Sequence, residues 1–445
     1  MNDKIANTTS TLIFALVSLT AALLLLLPPH SHPFVAILCK SLIAAAGLAF
    51  LFSYKLSRGD IKIETPIDAF IFLAFAWHII TVLFSVDPIT SLNSSVSFFT
   101  LILLFYISYT YSRKHPDSLL VLVLAAAAFV SVYGLFQYFF GFNAALSHME
   151  TSPVEMQEAV IQRILSGRVF SVFIYPNTFG GFLILVIPIA FAVFKTNKKT
   201  RPAAAALTAL LLVNLLLTRS IASAVSLALA LLLVIPFISD RSLFYFKKLL
   251  FLLFAAAAAI LTLVLLFRDP AEIIGNLSGR LANYMKIMEI SRDFLITGSG
   301  AGSFESVYNS FPGASYLKYG HNAILQMILE NGLPGALIMI LAVFFGYRSV
   351  IRSFSLIRDP AKKTLLLGFL TGITAFLLHN LADFDIYMFE TSFFFVIILG
   401  LLMSRLATGV IQVKRIKLTY LLGINPGKRR SLIITFISFV PVSYT

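Results

Sequence analysis

The chain has 445 residues, 59% of them hydrophobic and 12% charged, with a net charge of +14 and a mean hydropathy of +0.91. Soluble domains carry about 45–50% apolar and about 25% charged residues, so the composition excludes a soluble enzyme or binding module and indicates an integral membrane protein. The single cysteine, Cys39, excludes an internal disulfide and a thiolate metal cluster.

A helix needs about 20 apolar residues to cross the hydrocarbon. Taken in order, the runs of that length lie at 11–27, 33–53, 66–84, 95–111, 118–140, 169–194, 203–217, 220–238, 248–267, 333–351, 364–382 and 387–405. They predict an all-α membrane protein of about twelve spans, one polytopic domain over 1–445. The first run lacks a small-residue exit and ends at Pro28-Pro29, so it reads as a retained span and not a cleaved signal. The runs on either side of Arg219 read as two short helices meeting there, or as one broken helix. A final apolar run, Leu432–Val442, is too short to span and is expected at the interface. Ala125–Ala128 and Ala255–Ala259 permit close helix packing in lipid.

The charges of the connecting segments alternate. One set of loops holds 25 of the 34 Lys and Arg, from Lys4 through Arg113, Lys114, Lys195 and Arg348 to the tail beyond Arg405. The other set holds eight: Arg163, Arg168, Arg219, Arg268, Arg280, Lys286, Arg292 and Lys318. Positive residues are retained in the cytoplasm, which places both termini inside and a large polar excursion, 268–332, outside, between the ninth and tenth spans. The same bias absorbs the net charge. The basic tail at 408–445 then reads as an anchor on anionic lipid, with no call for nucleic acid.

Four outward features carry chemistry. Segment 141–180 leads through acidic residues to Arg168, Pro176-Asn177 and Gly180-Gly181; the proline-asparagine pair signals a turn, and the glycines let a backbone come close to another group. Arg168 at the mouth of a span reads as a snorkelling side chain or as a ligand-binding one. Thr218-Arg219-Ser220 sets an arginine between two apolar runs, where charge is expensive and usually faces a cavity or a partner. In the excursion, a helix is predicted to begin at Ser278-Gly279-Arg280, with Leu281, Tyr284, Met288 and Phe294 near one face. Gly298-Ser-Gly-Ala-Gly302 follows; without a preceding strand or a P-loop lysine it is no nucleotide motif, though its amides would suit a phosphate. Asn322 is placed to cap a short helix, Gly332 to end it and Pro334 to start the next span. His321 would stand at that helix start, where an imidazole can accept a proton. Finally, His379-Asn380 and Asp383-Phe-Asp385 end the eleventh span. A D-x-D pair can hold a divalent cation, but the expectation is structural, with Asp383 pairing an outer arginine.

There is no H-E-x-x-H, no G-x-S-x-G elbow and no cysteine site. Arginine grips phosphate bidentately, so a lipid pyrophosphate leaving group held this way needs no metal and no cofactor. Histidine would activate the incoming hydroxyl.

In Gly167-Arg168, Pro176-Asn177, Thr218-Arg219-Ser220, Gly279-Arg280, Gly298–Phe304, His321-Asn322 with Leu325, Glu330-Asn-Gly332, Gly335, and His379 through Phe384, the sequence resembles the O-antigen ligase and polymerase superfamily over roughly residues 66–405. The resemblance implies a GT-C-like helical fold in the bacterial inner membrane, with metal-independent, inverting glycosyl transfer on the periplasmic face. Its donor would be an undecaprenyl-pyrophosphate-linked glycan and its acceptor lipid A core, as in lipopolysaccharide biosynthesis. Polymerases of the group extend a lipid-linked repeat, and others glycosylate proteins. Residue by residue, Arg168, Arg219 and Arg280 match the family's arginines and His321 its histidine; Tyr284 stands where tryptophan is commoner. Arg219, Arg280 and His321 are thus the catalytic candidates, with Arg168, Asn177, Tyr284, Arg292 and Asn322 as substrate-binding ones. Against a transporter or flippase for the same lipids, the charges gather at the outer ends and not at mid-membrane on broken helices, Lys40 apart. A receptor-like scaffold is the remaining alternative.

Overall fold

The computed structural model describes residues 2–28, 32–58, 65–151, 158–196, 198–234, 244–267 and 269–406. Among them there are no strands. The chain runs through α1 (Asn2–Leu26), α2 (Pro33–Arg58), α3 (Asp68–Leu83), α4 (Pro88–Lys114), α5 (Ser118–Phe136), α6 (Phe142–Thr151), α7 (Glu158–Leu165) and α8 (Pro176–Thr196). It continues with α9 (Arg201–Thr218), α10 (Ile221–Val234), α11 (Phe244–Phe267), α12 (Pro270–Ser291), α13 (Phe304–Ser310), α14 (Ala323–Leu356), α15 (Pro360–His379) and α16 (Phe389–Ser404). Each of the expected runs overlaps a helix, though that at 169–194 begins seven residues before α8, and that at 220–238 is described only as far as Val234. Eight stretches, on α1, α2, α4, α5 with α6, α8, α9, α14 and α15, are long and apolar enough to cross a membrane among the described residues. The apolar stretches of α3, α10, α11 and α16 are shorter. The chain is a multi-pass, all-α membrane protein. The expected basic tail at 408–445, with its run Leu432–Val442, lies outside the described residues.

Three helices start by the same device. Asp87, Asp269 and Asp359 each cap the helix that the following proline opens, accepting from the amides of Thr90, Ala271 and Ala361 at 3.1, 2.9 and 2.9 Å. This moves the start of α12 from the expected Ser278 to Pro270. Gly275 and Gly279 are carried within the helix, because the Asp-Pro cap upstream has already satisfied the first turn.

The innermost helices are α8 and α15, which pack along each other with Gly372 against the Leu185 carbonyl. With no hydrophobic drive between helices in lipid, such close backbone approach is what holds neighbours together. Around this pair, α9 lines α8, α10 lines α15, α16 packs on α4, and α14 packs on α3. Between α5 and α6 the backbone takes one π-helical turn, Gln137–Gly141. Gln137 points inward from it and accepts from the amides of Phe170 and Ser171, both at 2.9 Å, which pins the segment carrying Arg168.

The excursion folds as a small cap with its own core, in which Ile287, Ile290, Phe304, Val307, Tyr308 and Leu329 are buried. It sits at the end of the bundle where α15 finishes and α16 begins. The other end is chemically different: there Arg405 meets the Pro116 carbonyl and lies 4.0 Å from Asp117, near Arg113 and Lys114.

Candidate functional site

The site is organised by Asp383, in the loop between α15 and α16. Its side chain is 1% exposed, yet its neighbours Arg280 and His321 stay about a quarter to a third exposed. Arg280, from the middle of α12, brings Nη2 to 3.9 Å from Asp383 Oδ2 and donates through Nη1 to the Ala382 carbonyl at 2.5 Å. Asn177, in the first turn of α8, donates through Nδ2 to Asp383 Oδ2 at 2.9 Å and accepts from Arg168 Nη2 at 2.8 Å. Arg168 Nε also donates to the Thr218 carbonyl at 2.9 Å, which ties it to the turn that carries Arg219. His321 Nδ1 lies 3.8 Å from Asp383 Oδ1. The expected pairing of Asp383 with an outer arginine is therefore found, and it joins four segments that are distant in sequence.

His321 is held from several sides. Asn322 caps α14, its Oδ1 accepting from Ile324 and Leu325 at 3.1 Å each, and Ala323 donates to the Asn380 carbonyl at 2.8 Å. Tyr284 donates its hydroxyl to the His321 carbonyl at 2.6 Å, so this tyrosine positions the histidine backbone. The imidazole packs edge-on to Phe384 with ring centroids 4.8 Å apart, and Tyr319 stacks on the same ring at 4.5 Å. His321 has φ +49°, a left-handed conformation that non-glycine residues take only where their surroundings enforce it. Arg219 has φ +50°, as the C-cap of α9. Two of the three catalytic candidates, Arg219 and His321, are thus two of the three non-glycine residues with positive φ among those described, the third being Ser171.

Arg219 is half-buried, and its side chain makes no hydrogen bond or ion pair among the described residues. Arg292 is exposed on the turn after α12, and among the described residues it has no such partner and no contact that links it to the cluster. Arg163, from α7, was not singled out in the sequence. It stands over the Tyr175 ring at 4.7 Å, and Tyr175 meets Phe384 edge-on, so this arginine adjoins the cluster.

The electrostatics separate the two acids of the D-x-D pair. Burial works against the Asp383 carboxylate, but the imidazole of His321, 3.8 Å away, and the charges of His379 and Arg280 outweigh it and hold the group down at about 2. Burial pushes the Asp385 carboxyl up, against the pull of His379. Asp385 turns the other way, with Oδ2 2.9 Å from His379 Nδ1. The two acids thus face different bases and not one shared centre. Among the described residues, no three His, Cys, Asp or Glu side chains gather as a metal site.

Gly180 and Gly181 make the close approach expected of them. A Cβ on Gly181 would meet Asp385 Oδ2 at 1.7 Å, and one on Gly180 would meet Ser223 Oγ at 2.3 Å. The glycine-rich turn departs from expectation. Gly298, Gly300 and Gly302 all have positive φ, but the amides of Gly298, Ser299 and Gly300 donate to Phe294, Leu329 and Glu330 carbonyls. The turn fastens the cap to α14, and those amides are not open to a phosphate.

Residues 184–340 match the family model described as O-antigen ligase. The match takes in Arg219, Arg280, Tyr284, Arg292, His321 and Asn322, and leaves Arg168, Asn177 and the 379–385 loop outside it. No curated protein matches the chain.

Proposed function

We propose that this member of the O-antigen ligase and polymerase superfamily moves a glycan from a polyprenyl-pyrophosphate carrier to an acceptor hydroxyl, at the outer face of the bacterial inner membrane, with inversion and without a metal. The observation that carries this reading is the Asp383 cluster, which gathers Arg280, His321 and, through Asn177, Arg168 at one end of the bundle, beside Arg219, which has no side-chain partner among the described residues. The orientation rests on the Lys and Arg asymmetry of the loops.

In this mechanism the arginines face the pyrophosphate, and their positive charge stabilises the negative charge that grows as the bond from the sugar C1 to the phosphate oxygen breaks. The acceptor oxygen forms the new bond to C1 from the opposite side, and its proton passes to His321. With Nδ1 turned toward Asp383, the free Nε2 is the atom that takes the proton. Asp383 then stabilises the imidazolium, in the way a buried acid supports the base of a hydrolase triad. Unlike a transporter, the chain keeps these groups at the end of the bundle and not at its middle.

The test offers the detergent-solubilised protein an undecaprenyl-pyrophosphate-linked glycan together with lipid A core, a second lipid-linked repeat, or a peptide acceptor. Transfer to lipid A core is expected, unchanged by EDTA. Transfer only to the repeat or the peptide would reassign the acceptor. EDTA-sensitive transfer restored by a divalent cation would overturn the metal-independent mechanism.

A further inference from the structure

Beneath the Asp383 cluster lies a second polar group that the mechanism above does not use. His379, the last residue of α15, and Asp385 are both fully buried, as is Ser223 in α10. His379 Nδ1 is 2.9 Å from Asp385 Oδ2, and His379 Nε2 is hydrogen-bonded to Ser223 Oγ at 3.0 Å. Ser223 Oγ donates to Ser220 Oγ at 2.8 Å, and the Ser223 amide donates to the same oxygen at 3.3 Å. This is the order of a hydrolase triad, acid to imidazole to hydroxyl. With all three side chains buried, Ser223 is closed to a substrate, and it does not serve as a nucleophile.

What distinguishes the chain of contacts is where its two ends lead. Asp385 is two residues from Asp383, in the same short loop. Ser220 follows Arg219 directly, at the left-handed turn that ends α9. The glycine pair of α8 leaves room at both Asp385 and Ser223, so the geometry of α8 is fitted to this contact as well. Buried polar groups in a membrane protein are costly unless partnered, and here the 2.9 Å ion-pair contact of His379 with Asp385 and the hydrogen bonds of Ser223 tie together the elements that carry them.

We infer that Asp385, His379 and Ser223 form a buried positioning relay that sets the Arg219 turn at a fixed distance from the Asp383 loop, so that Arg219 and Arg280 meet the two phosphates of one pyrophosphate together. The inference rests on the reading of these arginines as pyrophosphate ligands. None of the three relay residues touches substrate; each acts through the arginine beside its end of the chain.

The experiment measures binding of farnesyl pyrophosphate, a short probe, to the full chain in detergent, alongside transfer from the lipid-linked glycan. The proteins are wild type, Ser223→Ala, Asp385→Asn, Arg219→Ala and the Ser223→Ala/Arg219→Ala double variant, with thermal melting of each. Ser223→Ala removes one hydroxyl and leaves shape intact; Asp385→Asn tests the other end of the relay should Ser223→Ala fail to fold. Each relay variant is expected to weaken probe binding by about three- to tenfold. Ser223→Ala should have no further effect once Arg219 is gone, which is the coupling of residues acting as a unit. A merely structural role would lower the melting temperature, leave the affinity of the folded protein unchanged, or weaken binding by the same factor in both backgrounds. Any of these overturns the relay while leaving the proposed function standing. Failure of the wild type to bind the probe or to transfer, or full binding by Arg219→Ala, would instead remove the pyrophosphate reading itself and the relay with it.

Discussion

The glycine-rich turn at 298–302 and the loop at 379–385 look alike in the sequence. Each is a short polar stretch beside an apolar helix, and each carries a pattern associated with ligands elsewhere. In three dimensions they part. The turn's amides are occupied by the carbonyls of Phe294, Leu329 and Glu330, and its glycines serve to bring the cap onto α14. The 379–385 loop buries both of its acids, but surrounds one of them, Asp383, with an arginine and a histidine that stay about a quarter to a third exposed. A motif becomes a candidate site when the fold leaves polar groups with capacity beyond their internal partners. The turn has none to offer at those three amides, whereas the loop gathers several.

The comparison can be broken from either side. The largest effect is expected at Asp383. Replacing it with asparagine leaves Arg280, His321 and Asn177 without their shared anion, and removing one partner of a buried charge pair costs about 3–5 kcal/mol. Transfer should fall about a hundredfold or more. The sign of its pH dependence follows from the depressed carboxyl. Held at about 2, below the ordinary value near 4, Asp383 contributes fully above about pH 4 and loses its contribution only as pH falls through 2. Donor binding between pH 5 and 8 should therefore show no limb that Asp383→Asn removes; such a limb would contradict the assignment.

A smaller and different effect is expected in the glycine turn. Gly298→Ala adds a Cβ at φ +75° that would meet the Glu330 carbonyl at 2.2 Å. It should destabilise the protein by about 1–3 kcal/mol, read as a lower melting temperature. The folded fraction should keep its KM for the donor, and a raised KM with unchanged melting would turn the contrast around. The smallest effect is expected of Asn322→Ala, which removes the α14 cap. It should cost about 1 kcal/mol of stability and lower kcat only modestly through His321, since Tyr284, Phe384 and the Ala323 amide still hold that residue. An effect on kcat as large as that of losing the imidazole itself would give Asn322 a direct part in the reaction.

Much of this architecture was legible in the chain because it is local. Hydropathy runs gave the long helices, Asn322 and Gly332 marked a short helix at the head of α14, and Gly180-Gly181 announced a close approach. The start of α12 was also written locally, in Asp269-Pro270, but Ser278-Gly279 drew the boundary inward. The 379–385 loop was legible only in part. Pairing of Asp383 with an outer arginine follows from charge, but its link to Asn177 crosses 206 residues of sequence and has no local signature. Ser223 gave less still. It sits in an apolar helix, where its spacing of three from Ser220 and Ser226 was the one available hint, and its partner His379 lies 156 residues away. Arg292 shows the converse limit, since among the described residues no contact joins it to the cluster. An outward arginine counts equally in the sequence whether or not the fold carries it to the cluster.

The central claim, that His321 and Arg280 act on one lipid-pyrophosphate donor, is tested most directly by in vitro transfer in detergent from an undecaprenyl-pyrophosphate-linked glycan. Wild type, His321→Ala and Arg280→Ala are compared at matched folded concentration. Each substitution is expected to lower the rate by about two orders of magnitude or more, the scale of losing a general base or a positioned charge, with the fold retained. Wild-type rates in both variants would contradict the claim.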